Sequence, residues 1–210
     1  TGRLPAGGAH RRQPTGRGRR AGLIAVLLVL VVGAGGAAVW RFGVHRGPSS
    51  AQQQTRQYIR SVCAAVTAWQ DRVSGLNATF ATAFPPADAA TGQRLAAGYF
   101  TTASGRTSGL ITALPADVPD TTSGGSAYAS RVRNAALAAQ TWFAQRASQV
   151  LALDPGEPAL SAVSLRALTS HTTRPLGDVA AAVVKDPGSA QLRAAITTVP
   201  ACRAVRRAPG

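Results

Sequence analysis

The side chains able to do chemistry are few and scattered. Two cysteines stand 139 residues apart, Cys63 in RSVCAAVTAW and Cys202 in TTVPAC, beside three histidines and eight carboxylates in 210 residues. A nucleophilic thiol needs an activating polar neighbour, whereas Cys63 is flanked by Val62, Ala64 and Ala65. Metal binding needs further ligands, and His10, His45 and His171 form no cluster with the thiols, so neither a metal nor another cofactor is expected. A lipid-modified cysteine follows an export signal directly, and Cys63 does not. A disulfide between Cys63 and Cys202 is the remaining use, and it belongs to an oxidising compartment.

The other chemical motifs are equally thin. His171, in TSHTTRP, is the one histidine inside the globular part and the only general base on which an enzyme would centre. GRTSG, residues 105–109, departs in spacing from a nucleophile elbow and follows no strand. Lys185 precedes Asp186 rather than ending a glycine-rich phosphate loop. Asp88, Asp117, Asp120, Asp154, Glu157 and Asp186 all neighbour proline-rich or glycine-rich breaks, where caps and turns use them. Asn77-Ala78-Thr79 matches a glycosylation acceptor but falls within a helical pattern. No catalytic constellation emerges, and the expectation is a protein that binds rather than catalyses.

Helices must position these residues. Hydrophobic residues make up 45% of the chain and aromatics only 5%, so alanine carries much of the core, which favours helices over strands. The richness in Arg, Ala and Gly resembles that of proteins from high-GC actinobacteria. Ile59, Val62, Val66, Trp69, Val73, Leu76 and Phe80 step by three and four, which predicts one long helix ending at Phe84-Pro85-Pro86. Asp88 begins a second, with Leu95, Tyr99, Thr102, Leu110, Ile111 and Leu114 facing inward; Gly98, Gly105 and Gly109 weaken it unless a neighbouring backbone needs their space.

After a loop over residues 115–126, a third helix reaches Leu153 and buries Tyr128, Val132, Ala135, Ala139, Trp142, Phe143, Val150 and Leu151. A fourth begins at Pro158 with Leu160, Val163, Leu168, Leu176, Val179 and Val183 inward, and Pro175 kinks or divides it. A short last helix places Leu192, Ile196 and Val199 on one side before Pro200. The expected fold is all-α, an antiparallel four-helix bundle over residues 51–202 with a short extra helix, whose end returns towards the first helix and brings Cys202 to Cys63.

AGLIAVLLVLVVGAGGAAVW, residues 21–40, is a charge-free stretch of spanning length. GRGRR before it and Trp40-Arg41 at its end predict a single-pass helix in the cell membrane, with the N-terminus cytoplasmic and the bundle extracytoplasmic. The alternative is a signal peptide cleaved after the small residues that follow Leu23 to Val32, which releases the same domain. Residues 1–20 form an Arg-rich disordered cytoplasmic tail, residues 41–50 a linker and residues 203–210 a basic disordered tail.

Net charge is +15, but six arginines precede residue 21, and the part from Ser49 onward carries only +7. That distribution, without interleaved aromatics, argues against a nucleic-acid groove. The expected partners are the bilayer, through residues 21–40, and an envelope protein or anionic polymer. Arg56, Arg60, Arg131 and Arg133 are the nominated contact residues.

Overall fold

A computed structural model describes residues 49–84, 88–154 and 156–206, apart from the side chains of Pro158, Leu160 and Arg206. The expected tail, the span over residues 21–40 and most of the linker lie outside these residues, as does the expected inward side chain of Leu160. Among the described residues no helix is long and apolar enough to cross a membrane.

The described residues are all-helical, with no strand among them. Helix α1 spans Ser50–Ala83. It opens on a capping box in which Ser49 Oγ accepts from the Gln52 N–H and Gln52 Oε1 accepts from the Ser49 N–H. The predicted stripe is buried from Ile59 to Val73, while Leu76 and Phe80 pack half-buried at its far end. Phe84 is extended, as a residue before proline must be.

Helix α2, Ala89–Ala113, is capped by Asp88, whose carboxylate accepts from the Thr91 N–H at 2.7 Å and the Thr91 hydroxyl at 2.8 Å. Its inward face is built on Ala96, Tyr99, Phe100, Ala103, Thr107 and Leu110. Leu95 and Ile111 are half-buried, and Thr102, expected inward, is exposed. The face turns towards the alanines because α2 packs most extensively on α3, Gly125–Leu151, which also presents Ala136, Ala139 and Ala147. Small side chains let two backbones approach, so a pattern read from bulky residues misplaces the seam. The same effect leaves Ala135 and Trp142 half-buried and sends Leu151, expected inside, 64% into solvent.

The expected fourth helix is divided. Helix α4 spans Pro158–Thr169 and α5 spans Arg174–Val184, with Pro175 in the first turn of α5, where its missing N–H costs nothing. Leu176, Val179 and Val183 are buried as expected. On α4 it is Leu165 that is buried, with Leu168 half-buried and Val163, expected inward, 66% exposed.

Cross-helix contacts give the order. Thr55 meets Thr122, Trp69 meets Thr107 and Asn77 meets Tyr99, so α2 descends beside an ascending α1. Gln93 reaches Val150 and Tyr99 faces Phe143, so α3 ascends beside α2. Gln70 reaches the Leu176 carbonyl and Arg131 that of Ala182, so α5 descends to the level of the α1 start. Helix α6, Ala190–Thr198, begins there, with Gln191 on Thr55, and α7, Ala201–Arg206, climbs on to Cys63.

Two glycines are required at the start of α3. Gly124 has φ +70°, and a Cβ on Gly125 would strike the Val118 side chain. Gly98, Gly105 and Gly109 are different, for a Cβ on each meets nothing within 4 Å. No neighbouring backbone uses their space.

Candidate functional site

Cys63 and Cys202 are bonded, with Sγ atoms 2.04 Å and Cα atoms 5.0 Å apart, and both are fully buried. The pairing is the one expected, but the route to it differs. Four helices alone bring the chain back to Thr55, about two turns below Cys63, and α6 with α7 covers the remaining rise. Residues 203–206 therefore continue a helix, and Val205 is fully buried, so the bundle extends past the expected boundary at Cys202.

His171 lies exposed in the connection between α4 and α5, in the left-handed backbone region at φ +61°. Its carbonyl accepts from the Arg174 N–H, and its imidazole hydrogen-bonds no described residue. Asn77, of the glycosylation pattern, accepts the Tyr99 hydroxyl proton from within α1. Thr107, of GRTSG, is fully buried and accepts from the indole Nε1–H of Trp69 at 3.0 Å. That hydroxyl holds α2 to α1. Among the described residues no three His, Cys, Asp or Glu side chains gather as a metal site.

The four nominated arginines separate into different environments. Arg131 is half-buried between α3 and α5; its Nε–H donates to the Ala182 carbonyl at 3.3 Å and its guanidinium lies 5.5 Å from the centre of the Tyr128 ring. A cation beside the last carbonyls of α5 complements the negative end of that helix, which makes Arg131 a packing residue. Arg133 points another way, to the junction of Tyr58, Val62 and Leu114, and borders the depression that also holds Asp117 and Asp120. Arg56 and Arg60 are exposed one turn apart on α1.

Arg56 borders a groove whose lining carries no acidic side chain. The groove, of about 470 Å³, runs between the starts of α1 and α6 and is closed by Thr121. Its floor is held by a polar network that apolar patterning does not reveal. Thr55, 1% exposed, shares a hydrogen bond of 2.9 Å with Thr122 and accepts from the Gln191 amide at 2.7 Å. Gln191 Oε1 accepts in turn from the Ser123 N–H, and the Thr121 hydroxyl donates to Gln54. The bonded partners lie 67 or more positions apart in the chain, and their sequence signal is Thr, Gln and Ser at helix starts and in the loop before α3.

The tyrosines are the strongly perturbed groups. Burial pushes Tyr99 up to about 12, and it raises Tyr58 and, further, Tyr128. The two hydrogen bonds from Thr91 hold Asp88 below its usual range. All four serve packing or capping. The fold defines a disulfide-bonded all-α bundle; compared with protein-family models, curated proteins and solved structures, the chain matches none of them.

Proposed function

We propose that this chain is a noncatalytic interaction module of a bacterial cell envelope, anchored by residues 21–40 and presenting its bundle outside the membrane. The observation that carries the reading is the Cys63–Cys202 disulfide, which joins the first and last helices of the bundle. Such bonds persist in oxidising compartments, and the charge-free span with arginines before it orients the bundle towards one. The bond fastens α7, and through it α6, to α1, while the Gln191–Thr55 hydrogen bond joins the α1 and α6 starts, so the partner-facing end of the bundle is held by both.

The test is peptide mass spectrometry on protein from its native cells, with thiols blocked at lysis and no reductant. A linked Cys63–Cys202 pair supports an extracytoplasmic bundle. Two blocked free thiols would overturn that placement and the envelope role with it.

A further inference from the structure

We infer that the groove between the starts of α1 and α6 binds a phosphate-bearing anion, with Arg56 as its charged contact. The inference rests on the reading of the chain as an interaction module and gives that module a ligand chemistry. Ser49, Gln52, Thr55, Arg56, Thr121 and Gln191 supply the polar side chains of the lining, and no carboxylate is among them. The remaining lining is four alanines, and Thr55 is buried, which leaves the approach to the guanidinium unobstructed by large side chains.

Donor capacity decides the class of ligand. Gln191 and Thr121 are committed to the network beneath the groove. In the capping box, Ser49 Oγ and Gln52 Oε1 act as acceptors, which leaves the Ser49 hydroxyl proton and the Gln52 amide protons available. The Arg56 guanidinium adds five N–H donors and, among the described residues, has no acid paired with it. A groove offering surplus donors and one unpaired cation selects an acceptor-rich anion, and the planar guanidinium matches a phosphate bidentately. The volume falls within the range of small-ligand sites and accommodates a phosphomonoester or a phospholipid headgroup. A neutral ligand would leave the guanidinium charge uncompensated, and a cationic one would be repelled by it.

Arg60 supplies the control. It is exposed one turn further along α1 and does not line the groove, so a diffuse basic surface depends on both arginines and a formed site on Arg56 alone. The experiment uses the full chain in a neutral detergent at constant ionic strength. Its melting midpoint is followed against inorganic phosphate and, separately, against dihexanoylphosphatidylglycerol below its micellar concentration. Wild type, Arg56→Gln and Arg60→Gln are compared, with circular dichroism establishing that all three fold alike without probe.

The expected result is a saturable rise in midpoint whose apparent affinity falls tenfold or more in Arg56→Gln and stays within about twofold in Arg60→Gln. A rise with inorganic phosphate identifies a soluble phosphate source, and a rise with the lipid alone identifies a membrane headgroup. No saturable rise with either probe overturns the inference, as does an equal loss in both variants or no loss in Arg56→Gln. Any of these leaves the disulfide-mapping result standing, so failure of the site and failure of the envelope reading are distinguishable.

Discussion

Replacing both cysteines by alanine tests how much of this fold depends on its one covalent cross-link. Closing a loop between residues 139 positions apart removes unfolded-chain entropy worth about 5 kcal/mol at most in the chain-entropy model. Both side chains are fully buried, so Cys63→Ala/Cys202→Ala also loses two sulfur atoms from packed sites, adding about 1 kcal/mol each if the core does not collapse onto the space. Serine is avoided because two buried hydroxyls would introduce an unrelated cost. Domains of this size have total stabilities of about 5–15 kcal/mol, so the bond accounts for a large fraction. At about 2–4 °C per kcal/mol, the combined loss of up to about 7 kcal/mol lowers the melting point of the double variant by up to about 14–28 °C relative to wild type. Amide exchange should rise most in α6 and α7, the short helices that the bond fastens to α1. A double variant melting within about 2 °C of wild type, with α7 still protected, would refute the staple role.

The three tyrosines, Tyr58, Tyr99 and Tyr128, are all buried and raised, so near pH 10 the folded chain should show less phenolate absorbance at 295 nm than the unfolded chain. Because each keeps its proton in the native state above the pH where the unfolded chain releases it, stability falls as pH rises from about 10 towards 12, and the phenolate signal should appear together with loss of helix. Gly98→Ala and Gly105→Ala, at open positions inside α2, should each stabilise by about 0.5–1 kcal/mol in urea unfolding. Gly125→Ala should cost about 1–3 kcal/mol in the same assay, since its Cβ displaces Val118. Asp88→Ala removes the α2 N-cap and should lower the urea midpoint at neutral pH. The lowered Asp88 pKa places the cap's contribution above about pH 4 and removes it as pH falls further, so the gap between variant and wild type should narrow in acid.

The helical class, the α1 face and most breaks were legible because period, caps and proline are local. Ile59 through Val73 repeat on one side of any helix they form, Asp88 caps by local hydrogen bonds, and Pro175 cannot continue an earlier ladder. The cysteine pairing was legible in part from topology, because an even number of antiparallel passes returns the chain to the level of Thr55, but the rise through α6 and α7 that reaches Cys63 was not. Tertiary packing decided what those signals do not contain. The Ala-lined seam between α2 and α3 turned Thr102 and Leu151 outward, since the closest approach of two backbones, rather than side-chain bulk, sets which residues lie between them. Folding also separated four arginines that look alike in sequence: Arg131 is drawn to the end of α5, Arg133 to the α1 junction, and Arg56 alone borders the groove. That groove joins residues 49–56 to residues 121 and 190–195, and only the antiparallel return of the chain places them side by side.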